Sequence, residues 1–307
     1  MKIIFFGSSG FSVPALKSIS KHTVCVVTKK AKPKGRGYSL DDNEVKRAAG
    51  KLGLSLIEIG SFKDDVVKTL PDYKPDLFVV ASFGLIVPKW VLDIPSRGSI
   101  NIHPSLLPFY RGPSPIQWAI LSGDKMTGIT LIRMSEKMDA GDVIYQEQIM
   151  IRQEENFIGL SERLSVRVAE ILPETIDYIE TQGMMKRTEQ RHEMATYTPI
   201  ITKEMGKIDW GKSAVDIGRQ IRAFVFWPTA YAFLDGKIVK VFEASVEEGV
   251  ETTGNPGQIR EITKEGIIVD TMSGVLKIKD MQMENKKRMR AYNFAQGYRD
   301  LTGKVLL

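Results

Sequence analysis

The chain has 307 residues, 43% of them hydrophobic and 26% charged, with a net charge of +6. That length suits two domains with sizeable cores, and so modest a positive excess excludes neither an enzyme nor a polyanionic partner. The single cysteine, Cys25, excludes a disulfide framework and a cysteine-based metal cluster, and fits a reducing compartment.

The opening "MKIIFFGSSG" carries too short an apolar run for a signal-peptide core or a membrane span, and it reads as a first β-strand. No later stretch reaches transmembrane length, so a cytoplasmic protein of bacterial type with no membrane partner is expected. "TVCVVT", "SLIEI", "LFVVAS" and "SINIH" follow as further strands, with Cys25 a small buried residue in the first of them. Helical periodicity separates them, as in "VPALKSIS" and "DDNEVKRAAGKLG". Such alternation predicts an α/β sheet, largely parallel, with both faces covered. "GITLIRM" and "DVIYQEQIMI" add two strands joined by "SEKMDAG", and residues 157–181 form an amphipathic helix in which Pro173 is expected to make a kink.

Residues 182–206 are polar and without sustained periodicity, which predicts an extended linker between a domain at 1–181 and another at 207–307. In the second domain, strands flank Asp235-Gly236, a strong hairpin signal, and again flank Ser273-Gly274. Short strands with glycine turns predict a small β-barrel.

The densest chemistry lies in "NIHPSLLPFYRGPSPIQ", residues 101–117. Strand alternation puts Ile100 and Ile102 on one face and Ser99, Asn101 and His103 on the other, and Pro104 ends the strand. Asn101 and His103 therefore stand side by side at a strand's carboxyl end, the edge where open α/β sheets bind ligands. Together an amide and an imidazole can donate two hydrogen bonds to one developing oxyanion. "KMDAGD" offers two carboxylates, Asp139 and Asp142, to orient the imidazole, although either could be an ordinary turn residue.

Other signatures fail. "GSSGFSVP" is not G-x-G-x-x-G, no P-loop occurs, and Ser105 lacks a nucleophile-elbow context. His22, His103 and His192 fall at unrelated spacings, so no metal site is expected. Two runs are strongly basic: "KKAKPKGRG" holds Lys29, Lys30, Lys32, Lys34 and Arg36, and "KKRMR" holds Lys286, Lys287, Arg288 and Arg290. Taken alone, each reads as a solvated surface.

"NIHPSLLP" with the downstream "DAGD" resembles the formyltransferases that use 10-formyltetrahydrofolate. "RGPSPIQWAI", "KPKGRG", "KIDW", "RQIRAFVFWPTAY" and "NKKRM" extend the resemblance over the whole chain, toward the branch of that family acting on methionyl-tRNA. The implied fold is a Rossmann-like formyltransferase domain followed by a small OB-like β-barrel domain. By motif position the resemblance implies Asn101, His103 and Asp139 as the catalytic trio, with Asp142 a structural neighbour. Ser105, Leu106, Leu107 and Pro108 would lie against the folate, and Phe83, Gly84, Leu85 and Ile86 would line the pterin pocket. Lys32, Lys34 and Arg36 would reach the acceptor arm of the initiator tRNA, and Lys286, Lys287 and Arg288 would hold its backbone. Under the same resemblance Arg219 and Arg222 are further candidates, equally suited to packing. No metal and a monomeric state are expected. Three alternatives stay open: a formyltransferase for a small amine such as an amino sugar nucleotide or glycinamide ribotide, a 10-formyltetrahydrofolate hydrolase, and a non-catalytic RNA-binding protein.

Overall fold

A computed structural model describes residues 1–31, 42–183, 187–247 and 249–307. They divide into two compact units, one of residues 1–112, 127–150 and 161–198, the other of 113–126, 151–160 and 199–307.

The first unit is built on β1 (Ile3–Gly7), α1 (Ser12–Ser18), β2 (Thr23–Lys29), α2 (Glu44–Lys51), β3 (Leu56–Ile59), β4 (Leu77–Ala81), α3 (Lys89–Leu92) and β5 (Ser99–His103). The chain continues through α4 (Pro115–Ser122), β6 (Met126–Arg133), β7 (Val143–Met150) and α5 (Phe157–Gln182). Sheet order is β3-β2-β1-β4-β5-β6-β7. Every residue of β1 and β4 is buried, as expected of strands covered on both faces. On one face Phe6 packs edge-on to Phe78 and Phe83, at 4.9 and 5.4 Å between ring centres. β1 pairs in parallel with β2 and β4, and β4 in parallel with β5, whereas β5 meets β6 antiparallel. The order reverses at β1, and at that switch point Ser9 Oγ lies 2.8 Å from Ser82 Oγ, just past the ends of β1 and β4. Asn43 caps α2 by accepting from the Lys46 amide at 2.9 Å, and its Nδ2 donates to the Lys29 carbonyl at 3.0 Å, fastening the helix to the end of β2.

In the second unit, α6 (Ala214–Phe224) precedes β8 (Ala230–Leu234), β9 (Lys237–Glu247), β10 (Ile259–Thr263), β11 (Gly266–Asp270), β12 (Val275–Met283), β13 (Met289–Arg290) and α7 (Ala291–Ala295). Asp235 and Gly236 both have positive φ, 50° and 74°, which matches the right-handed twist of the β8–β9 hairpin. The ladder runs β10-β11-β12-β9-β8, with β13 beside β12. Its two ends share the C-terminal tail: Ile259 donates to the Lys304 carbonyl and accepts from the Gly303 amide, the Gly257 carbonyl accepts from the Leu306 amide, and Phe233 and Leu307 bond each other at 2.7 and 2.9 Å. A small barrel results, filled by Ile217, Ile221, Val239, Val241, Val269, Leu276 and Ile278.

The 182–206 stretch, expected as an extended linker, is more than a connector. Thr188 exchanges backbone hydrogen bonds with Val143, and the Thr196 carbonyl and Thr198 amide bond to Arg111, all within the first unit. Among the described residues no helix is long and apolar enough to cross a membrane.

Candidate active site

β5 delivers the two side chains as its alternation requires. Ile100 and Ile102 are buried on one face, and Asn101 and His103 share the other. Beyond Pro104 the chain turns back, held by Ser105 Oγ donating to the Phe109 carbonyl at 2.7 Å and by Thr130 Oγ1 donating to the Ser105 carbonyl at 2.6 Å. This brings the Tyr110 carbonyl to 2.9 Å from His103 Nε2. A carbonyl can only accept, so Nε2 carries the hydrogen and Nδ1 is the nitrogen left for chemistry.

Asp139 comes from the loop between β6 and β7. Its Oδ1 accepts from Asn101 Nδ2 at 3.3 Å and lies 3.6 Å from His103 Nδ1, while Oδ2 accepts from the Gly112 amide at 2.8 Å. The His103 and Asp139 side chains are only 5% and 12% exposed, so these contacts act where water screens little. Asp139 has φ 51°, a left-handed conformation that costs a non-glycine residue about 1–2 kcal/mol. Ser82 at φ 45° and Tyr110 at φ 60° are similarly placed around this rim. Gly141 is required for close approach, because a Cβ there would meet the Arg133 carbonyl oxygen at 1.7 Å. Asp142 stands apart from the trio: its carbonyl accepts from the Arg133 amide, and its carboxylate lies 3.9 Å from Arg187.

Two residues absent from the sequence reading complete the centre. Gln190 Nε2 donates to the carbonyls of Asp139 and Gly141 at 2.9 and 2.6 Å, and Gln190 Oε1 accepts from Arg111 Nη2 at 2.7 Å. Both Gln190 and Arg111 are buried. The "RG" of the residue 101–117 stretch hinted at Arg111 alone, and no motif marks Gln190.

The other candidates are placed unevenly. Phe83, Ser105 and Leu107 are buried, with Phe83 committed to the aromatic core and the Leu107 carbonyl accepting from Gln146 Nε2 at 2.8 Å. Leu85, Leu106 and Pro108 are half-buried, and Gly84 and Ile86 are exposed, Ile86 by 78%. Lys32, Lys34 and Arg36 lie outside the described residues. Lys286, Lys287 and Arg288 are exposed on the turn between β12 and β13. Arg288 is already engaged, by Asp280 at 2.8 Å and by the Phe242 ring, 4.3 Å from its guanidinium carbon. Arg219 and Arg222 pair with Asp216 and Glu154.

A cavity of about 320 Å³ lined by Lys74, Asp76, Ile94 and Ser96 opens where β4 begins, the opposite rim from His103, and holds none of these groups. The hydrogen-bonded convergence at the carboxyl ends of β4 and β5 is the better marker of chemistry. Among the described residues one cluster of ligating atoms, His22 with Asp177 and Glu180, sits at the same far rim, just before β2.

A formyl transferase family model matches residues 1–176, and the model of the formyl transferase C-terminal domain matches 200–299. A methionyl-tRNA formyltransferase of Alkaliphilus oremlandii is 38% identical over 310 residues, spanning 100% of this chain and 99% of that protein. The chain belongs to the methionyl-tRNA formyltransferase family. Its relative in Thermodesulfovibrio yellowstonii is 42% identical over 299 residues, 96% of this chain and 95% of the other. Among solved structures, the methionyl-tRNA formyltransferase of Clostridium thermocellum superposes with a TM-score of 0.56 at 18% identity, over 81% of this chain and 95% of that one. The N-formyltransferase of Helicobacter canadensis bound to folinic acid and dTDP-3-aminofucose gives 0.67 at 20% identity, over 92% and 100%. These structures share the fold of this family member.

Proposed function

We propose that this chain transfers the formyl group of 10-formyltetrahydrofolate to the α-amino group of methionyl-initiator tRNA, with Asn101, His103 and Asp139 at the reacting atoms. One observation carries the reading: in a member of this family, the amide and the imidazole that stand two residues apart on β5 converge on one oxygen of a carboxylate from a distant loop, Asp139 Oδ1.

The chemistry follows from these groups. The neutral amine adds to the formyl carbon, and negative charge gathers on the formyl oxygen. Asn101 Nδ2 has two hydrogens, and the one not given to Asp139 stabilises that oxygen. His103 faces the reaction with Nδ1, since Nε2 donates to the Tyr110 carbonyl, and it donates to the same oxygen when Nδ1 also carries a proton. As the new C–N bond forms, the amine's proton passes to Asp139, directly or through water, and then to N10 as the old C–N bond breaks. Proton and leaving group balance with no covalent enzyme intermediate.

The folate would lie across the strand ends, between half-buried Leu106, Pro108 and Leu85 and the backbone of the 82–86 turn. Phe83, Ser105 and Leu107 support this wall from behind. Lys286 and Lys287 would hold RNA phosphates, as would Lys32, Lys34 and Arg36. A cavity of about 280 Å³ in the same unit, lined by Lys264, Glu265, Arg290, Tyr292 and Asn293, adds two further cationic groups.

The test offers 10-formyltetrahydrofolate with methionyl-tRNA, with small amines, or with water alone. Transfer to methionyl-tRNA, nearly lost in Asp139→Asn, is the expected result. Transfer to small amines in preference to the tRNA, or release of formate alone, would overturn the reading.

A further inference from the structure

We infer that Gln190 is a positioning residue for the formyl-transfer centre: its side-chain amide, oriented by the buried Arg111 guanidinium, holds the loop that presents Asp139. The inference rests on the assignment of Asp139 to the reacting atoms and adds how that carboxylate is kept in place.

The orientation of the Gln190 amide is determined by its neighbours. A guanidinium only donates, and the carbonyls of Asp139 and Gly141 only accept. The amide oxygen must therefore face Arg111, whose Nη2 and Nε lie 2.7 and 3.2 Å away, and the amide nitrogen must face the two carbonyls. Arg111 also donates to His192 Nδ1 at 2.8 Å and to Tyr197 Oη at 3.3 Å.

These bonds close a circuit around Asp139. The Gly112 amide holds its Oδ2, Gly112 follows Arg111 in the chain, Arg111 holds Gln190, and Gln190 holds the Asp139 carbonyl. Main chain and carboxylate of one strained residue are thus gripped from both ends. The segment bearing Gln190 is itself anchored, at Thr188 to Val143 and at Thr196 and Thr198 to Arg111, so removing the Gln190 side chain leaves its backbone attachments intact. Lost first would be the restraint on the Asp139 loop.

The test is a double-mutant cycle on the full-length protein, with kcat and KM for methionyl-tRNA measured for wild type, Gln190→Ala, Asp139→Asn and the double variant. Gln190→Ala should lower kcat about tenfold to a hundredfold, the scale of a misplaced catalytic group, while KM stays within about twofold. If Gln190 acts through Asp139, the double variant turns over no more slowly than Asp139→Asn alone. Multiplying decrements, or a Gln190→Ala kcat within about twofold of wild type, would overturn the inference. Wild-type turnover in Asp139→Asn would instead remove the catalytic assignment, a separate failure. Gln190→Glu keeps the Arg111 partner and sets a carboxylate against two carbonyl oxygens, so it runs the same cycle if the alanine variant does not fold; rescue of kcat by Glu would show that the donor half is dispensable and overturn the inference.

Discussion

In the unit built on β1–β7, the polar groups that matter are buried or half-buried and come from separate parts of the chain: 101 and 103 on β5, 139 in a later loop, 190 beyond α5. In the unit carrying β8–β13, the basic residues adjoin one another in sequence, stand in solvent on one turn, and in Arg288 already have an acidic partner. The first arrangement is geometric and costs backbone strain. The second is electrostatic, needs little precision, and weakens as salt rises. Buried geometry should therefore govern the chemical step, and exposed charge should govern encounter with RNA.

The largest effect expected from this contrast lies on β5. Asn101→Ala and His103→Ala should each lower kcat about a hundredfold to a thousandfold, with KM for methionyl-tRNA within about twofold, in steady-state formylation. Loss concentrated in KM would put these residues on the encounter side. Next comes the pair Lys286→Ala with Lys287→Ala, expected to raise KM for the tRNA about tenfold near 0.1 M salt with kcat unchanged. Its log–log salt slope should fall by about 1.5, and an unchanged slope would mean that the turn carries no phosphate. Smaller still is Arg288→Ala, about twofold in KM, because Asp280 and Phe242 already occupy the guanidinium. A loss equal to that of the lysine pair would show that this ion pair opens for RNA.

The least effect is on stability, at Cys25 in the first unit. Burial pushes its thiol up from the ordinary 9.0, so the folded chain keeps the proton where the unfolded chain loses it. Stability falls as the pH climbs above 9.0 toward the raised value. At pH 8 alkylation of native protein should be slow and that of denatured protein immediate, and rapid native labelling would show that the first unit opens readily.

Much of this contrast was legible in the sequence, for local reasons. Apolar runs marked β1 to β5, two-residue periodicity placed Asn101 and His103 on one face, and Asp235-Gly236 announced its hairpin. Contacts made at a distance were not legible. Nothing local in "SINIH" or "GITLIRM" indicates antiparallel pairing. Gln190 sits in a polar stretch with no motif, so neither its grip on Asp139 nor the docking of its segment could be read. Nor could the pattern that marked Phe83 and Ser105 show that Phe83 packs against Phe6 and Phe62 or that the Ser105 hydroxyl donates to the Phe109 carbonyl.

The five residues from Gly303 to Leu307 seal the seam between β10 and β8. A chain trimmed by those residues would bare two strand margins at once, each with unpaired amides and carbonyls that a neighbouring molecule can extend. Self-association, more than lost turnover, would be its first symptom, and fusions joined at that end would have to leave the seam shut.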